Sequence, residues 1–296
     1  MSDTRTPMPF SLGLTLDRAI ARYRAHALEY MAIAAIMQLP IALTLIITHG
    51  TTDQIFASGM RFTSLNDVLR MIVMLICVTF AIHATIIFAQ AAITQRAIHI
   101  AQAQKPTFAQ SFVQIFRHPL RISILSLISF IIHIISLIGC MIIVFYFIVD
   151  EIMLFSSQPE HTRLLTGVFL LALYLAMFVV QARVILALPI AIAEQIGVRA
   201  SINRSWQLTA GAWVPAYLCG AIIVLLYSFC IFAPSLVLGS RWQNFLGLLL
   251  IRTILLIICL PIMGLIRLQL YEHQRTRREG DDLAARMAQV GYVGKG

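Results

Sequence analysis

Apolar residues along this chain gather into long runs: Tyr30–Thr48, Met71–Ile93, Ile122–Val149, Leu164–Ala182, Ala212–Leu238 and Phe245–Ile266. A helix needs about 20 apolar residues to cross roughly 30 Å of hydrocarbon, and each run reaches about that length. The first five contain no Asp, Glu, Lys or Arg, and the sixth contains Arg252. The fourth continues apolar past Arg183 to Ala193, so its span is drawn over 164–193. The pattern predicts an all-α, polytopic membrane protein: one transmembrane domain over 1–296, six transmembrane helices (30–48, 71–93, 122–149, 164–193, 212–238, 245–266) and a tail over 267–296.

A different periodicity precedes every second run. TLDRAIARYRAHAL places Leu16, Ile20, Tyr23 and Ala27 on one helical face. TFAQSFVQIFRHPL does the same with Phe108, Phe112, Ile115 and Phe116, with Thr107 and Gln110 at capping-box spacing. GVRASINRSWQLTA groups Val198, Ile202 and Trp206, with Arg199, Asn203 and Gln207 on a neighbouring polar face. Such segments are expected to lie in the membrane interface, apolar face toward the acyl chains and cations toward headgroups. Tyr23, Phe116 and Trp206 stand 93 and 90 positions apart, so a unit of one interfacial helix and two spans is repeated three times, by internal duplication or because the topology imposes it.

Charge adds a direction. The first, third, fifth and seventh polar regions carry sixteen cations, and the alternate ones carry four: Arg61, Arg70, Arg163 and Arg241. Positive-inside bias then places both termini in the cytoplasm, which agrees with an even number of spans. Composition is of the same kind, 59% hydrophobic and only 12% charged. The basic N-terminal segment leads into a run too long for a signal-peptide core and is expected to be retained. Cys77, Cys140, Cys219, Cys230 and Cys259 fall within the runs with no CxxC spacing, and read as packing residues.

Few polar residues interrupt the spans, and these are the candidates for chemistry. Arg183 reads either as an anchor at the inner edge or as a buried cation needing an anion: Glu194 across a bend at Pro189, Glu29, or a lipid phosphate. His83 and His133 come thirteen residues after Arg70 and twelve after Arg121, so both fall near mid-membrane, as packing residues or as a functional pair. Arg252 is placed to snorkel outward. Glu29, Glu194, His83, His133 and Arg252 make up the candidate polar core. Arg183, Arg199, Arg204, Arg275, Arg277 and Arg278 are candidate contacts for anionic lipid. The chain carries no Gly-rich phosphate loop, HExxH or GxSxG, so no catalytic residue, metal ligand or cofactor is predicted.

The spacing R-x5-P-x4-E-x2-G-x3-S-x3-SW, carried by Arg183, Pro189, Glu194, Gly197, Ser201, Ser205 and Trp206, resembles the signature of the membrane domain of glycerophosphoryl diester phosphodiesterases. It is also similar to the YciC-like inner-membrane proteins. The segments RTRREGDDL (Arg275–Leu283) and FSLGLTLDRAIARYRAH (Phe10–His26) extend the likeness over most of the chain, although Glu272 and His273 stand where the family has Tyr-Asp. The resemblance implies a bacterial inner-membrane protein without the catalytic barrel of the phosphodiesterases, hence no hydrolase activity. The expectation is a non-catalytic protein that interacts with anionic lipids or scaffolds a partner of envelope lipid metabolism, with no nucleic-acid partner. The alternative is a small-solute or proton-coupled transporter with His83, His133 and Arg252 along its route.

Overall fold

A computed structural model of the chain describes residues 11–57, 65–103, 107–152, 168, 172, 179–210, 213–238 and 245–293. Among these residues every regular element is helical. They are α1 (Leu12–Ala25), α2 (Ala27–Ala57), α3 (Leu65–Ala101), α4 (Phe108–Phe116), α5 (Pro119–Ile152), α6 (Ala187–Ala193), α7 (Val198–Thr209), α8 (Trp213–Leu238) and α9 (Phe245–Val293). A further helical stretch covers 179–184.

Four of these helices, α2, α3, α8 and α9, are long and apolar enough to cross a membrane. A fifth candidate is the pair α4 and α5, which together pass the same test and meet at 78°. That bend puts α4 across the end of the bundle and α5 along it, the arrangement expected of an interfacial helix leading into a span. Most of the expected fourth span, 164–178, lies outside the described residues. Its last part is not one continuous helix: the chain turns at Ile185 and Leu186 before α6 begins. Pro189 explains the break, because its ring collides with the carbonyl four residues back, here that of Ile185.

The outer faces are those of a protein solvated by lipid. Ile124, Leu127, Ile131, Ile135 and Ile138 line one exposed stripe of α5, and Leu218, Leu225, Phe229 and Phe232 line one of α8. Leu250, Ile254 and Ile258 do the same on α9. Helical stripes of large apolar side chains, open on helices of spanning length, require an apolar solvent. The structure is that of a helical membrane protein.

α9 is the spine, packing against α8, α1, α2 and α3. Expected to leave the bilayer at Ile266, it runs on unbroken to Val293, and Leu268, Leu270, Tyr271 and Gln274 are buried. Residues 267–274 thus continue the packed part of α9, a helix that α1 and α2 lie against. α3 likewise outlasts its predicted end at Ile93, with Thr94, Gln95 and Ala97 buried. Arg96 permits this because its charge is matched: Nη2 lies 2.7 Å from Glu29 Oε2.

The short helices turn differently from expectation. In α1 the buried positions are Thr15 and Ala19, while Ile20 is exposed. In α4, Ser111 and Ile115 are buried and Phe116 is exposed. Gln110 Oε1 accepts from the Thr107 N–H at 2.8 Å, the reciprocal half of the expected capping box. α1 begins at Ser11, whose Oγ accepts from the Leu14 N–H at 3.2 Å, and is fastened to α9 by a bidentate pair, Arg22 Nη1 and Nη2 to the two Glu272 oxygens at 3.0 and 3.2 Å. The pair is partly exposed, so its contribution is on the order of 1 kcal/mol. Glu272→Ala is expected to loosen α1 without unfolding the bundle, read as faster proteolysis within residues 12–25 at an unchanged midpoint. Equal protection of α1 in both proteins would show that its apolar contacts suffice.

Candidate functional site

Two places gather the polar residues of the chain. The first is an elbow where 179–184, α6 and α7 meet, and it holds every residue of the R…P…E…G…S…SW spacing. Arg183 lies in the last turn of the helical stretch ahead of the Pro189 break. Its guanidinium carbon sits 5.4 Å from the Trp206 ring centroid, and Nη1 donates to the Trp206 carbonyl at 3.2 Å. In return Ser205 Oγ donates to the Arg183 carbonyl at 2.5 Å, one of the carbonyls the broken helix leaves without an internal partner.

Ser201 and Ser205 are both 0% exposed, so the inward face of α7 is built from small residues and not from the Val198–Ile202–Trp206 row alone. Serines there allow close approach of the 179–184 backbone, as small residues do between membrane helices. Just past the end of α6, Gln195 takes the left-handed conformation (φ 55°) usual for glycine and satisfies a terminal carbonyl by donating from Nε2 to the Ile192 oxygen at 2.7 Å. Gly197 keeps extended backbone at the N-cap of α7, with open space where a Cβ would stand.

Arg183 has neither Glu194 nor Glu29 as its partner. Glu29 pairs with Arg96. Glu194 joins a closed ring: Tyr271 Oη donates to it at 2.9 Å, Arg275 Nη1 donates to Tyr271 Oη at 3.3 Å, and Arg275 Nε donates to Glu279 at 2.9 Å. Arg204 completes the circuit, 3.1 Å from Glu279 and 3.7 Å from Glu194. Two arginines and two glutamates balance in charge, and together they lock the α6–α7 turn onto α9. Arg278 donates to the Ala210 carbonyl. Of the six arginines proposed from sequence as lipid contacts, Arg183, Arg204, Arg275 and Arg278 thus make contacts within the protein, Arg277 is half-buried, and Arg199 is exposed.

The second place lies inside the bundle. His83 of α3 and His133 of α5 stack with ring centroids 5.8 Å apart. His83 Nε2 is 3.2 Å from Ser129 Oγ, and the His133 ring meets Tyr227 of α8 edge-on at 6.4 Å. Arg252 stands beside Tyr227 but does not line the cavity the two histidines face. That cavity, of about 60 Å³, is bounded by Gln90 and by Arg267, whose Nη1 donates to Gln90 Oε1 at 2.6 Å.

Sequence reasoning missed Arg267 as a site residue because it follows the last unbroken apolar run and counted as one more inner-edge anchor. The signal was nevertheless present: Leu268, Leu270 and Tyr271 carry the apolar pattern beyond it. No group of three His, Cys, Asp or Glu side chains suited to a metal occurs among the described residues. No family model, curated protein or solved structure matches the chain.

Proposed function

We propose that this is a non-catalytic membrane protein whose charged end engages anionic lipid headgroups, as a lipid-interacting or scaffolding component of envelope lipid metabolism. One observation carries the reading: in and next to the short helices α1, α4 and α7, exposed arginines accompany exposed large apolar side chains. Leu14, Ile20 and Leu28 accompany Arg18 and Arg24; Val113, Phe116 and Leu120 accompany Arg117; Trp206 and Trp213 accompany Arg199. A rim of this composition is suited to the boundary between headgroups and acyl chains.

In this reading the charged end faces the cytoplasm of a bacterial inner membrane and both termini are inside. The meeting of all seven signature residues at one elbow is what supports kinship with the membrane domain of the glycerophosphoryl diester phosphodiesterases and the YciC-like proteins.

The test is lipid retention by the full chain in native mass spectrometry, comparing phosphatidylglycerol with phosphatidylcholine. Each cation near an anionic leaflet contributes about 1 kcal/mol, so Arg117→Gln/Arg199→Gln is expected to cut the preference for the anionic lipid by roughly 30-fold. An unchanged preference sinks the proposal. The stacked histidines favour a second reading, transport of a small solute or of protons. It requires that His83→Ala/His133→Ala abolish uptake into proteoliposomes at an unchanged protein level.

A further inference from the structure

We infer that the chamber around Arg267 is a binding site for one oxyanion of the phosphate class, either free phosphate or the phosphoryl group of a lipid. Arg267 projects from the most deeply buried part of α9, between Ile266 and Leu268, each 1% exposed. Among the described residues its hydrogen-bond partner is the neutral amide of Gln90, and its Nε is buried without any. Arg267 itself is half-buried, and a guanidinium largely withdrawn from water between apolar helices is costly unless an anion meets it.

The chain supplies no such anion from its own spans. No Asp or Glu occurs between Asp67 and Asp150, between Glu160 and Glu194, or between Glu194 and Glu272. Glu194 is already taken by Tyr271 and Arg204, and Glu272, five residues on in α9, by Arg22. What faces Arg267 across the cavity is instead a set of uncharged hydrogen-bonding groups from separate helices: His83, Ser129, His133, Gln181 and Tyr227. Hydrogen-bonding groups of this kind around a space with a guanidinium fork at one side, His83 and Ser129 being also bonded to each other, suit a tetrahedral oxyanion with several acceptor oxygens.

Size agrees. A single water needs on the order of 10–15 Å³ by this measure, so about 60 Å³ holds several waters or one such anion. The chamber shares Ser129, Gln181 and Arg267 with a second cavity of about 70 Å³ that runs toward Ile185, Tyr217 and Gly220. The site is separate from the surface rim, and its argument stands without the headgroup reading.

The experiment uses the full chain, delipidated in a neutral detergent and phosphate-free buffer. Inorganic phosphate is expected to raise the unfolding midpoint progressively with its concentration, as a ligand of the folded state does, while chloride at equal ionic strength does not. Arg267→Gln should weaken that response at least about tenfold and, by removing the uncompensated charge, leave the anion-free protein no less stable. Should Arg267→Gln fail to fold, His133→Phe keeps a ring against His83, removes the ring nitrogens and should weaken the response in the same direction.

In parallel, native mass spectrometry from phosphatidylglycerol nanodiscs counts tightly held lipid. One lipid retained by the parent chain and lost in Arg267→Gln, with no response to free phosphate, assigns the phosphoryl group to a lipid. A response to free phosphate alone assigns it to the ion. If neither probe binds, or if binding is unchanged in both variants, the assignment is overturned. Arg117→Gln/Arg199→Gln is expected to leave both readings of the chamber untouched, so failure of the surface proposal is seen separately.

Discussion

Ser205→Leu is expected to lower the unfolding midpoint of the detergent-solubilised chain more than any other substitution at the elbow. The side chain is fully buried, and its hydroxyl satisfies the Arg183 carbonyl at 2.5 Å. Leucine adds volume where two backbones approach closely, an overpacking cost of about 1–3 kcal/mol. It also leaves the carbonyl without its donor, a further cost of about 1–3 kcal/mol. Ser205→Ala removes only the hydrogen bond and is expected to cost about 1 kcal/mol. The measured order should therefore be parent, alanine, leucine, with the larger gap at the second step. If alanine proves as damaging as leucine, the hydrogen bond and not the close approach holds the elbow.

Gly264→Leu is expected to have a comparable effect at the centre of the bundle, while Gly264→Ala is expected to be nearly neutral. A Cβ built at Gly264 meets Ile93 Cγ2 at 3.6 Å and the Gln90 Cα and Cγ at 3.8 Å, ordinary contact distances that leave room for a methyl group. The rest of a leucine side chain has nowhere to go without pushing α9 away from α3. That displacement costs about 1–3 kcal/mol by overpacking alone. It also draws Gln90 away from Arg267, so the leucine variant should lose anion-dependent stabilisation along with stability, while the alanine variant keeps both. A leucine variant with the parent midpoint would mean that α3 and α9 are not held at this separation.

The two sites divide the work of the arginines. At the charged end they are balanced within the protein, in the ring of Glu194, Tyr271, Arg275, Glu279 and Arg204, or stand at the exposed rim, as Arg117 and Arg199 do. Inside the bundle Arg267 has no anionic partner among the described residues. An arginine is matched at a surface by water and counter-ions, but in an apolar interior only by what the fold brings beside it. This difference separates a headgroup rim from an internal oxyanion site within one small chain.

Helical class and membrane solvent were legible from the sequence alone, because a run of about twenty uncharged residues has few fates other than crossing a bilayer. The short helices ahead of the spans were legible too, from their period and from the capping pair Thr107–Gln110. So was the depth shared by His83 and His133, since distance along a helix from a charged end is a property of one segment. Hydropathy is local, however, and the contacts that define both sites are not.

Arg22 meets Glu272 across 250 positions and Arg267 meets Gln90 across 177, and no window along the chain joins them. Which face of α7 turns inward was decided by the neighbouring backbone, whose close approach favours Ser201 and Ser205 over bulkier side chains. Where α3 and α9 leave the core was decided by helices packed around them, which bury Gln95 and Tyr271 well past the last unbroken apolar residue. The same packing turned Arg267 from an apparent edge anchor into a guanidinium of the polar chamber. A charge read from sequence has no environment until tertiary structure supplies its neighbours.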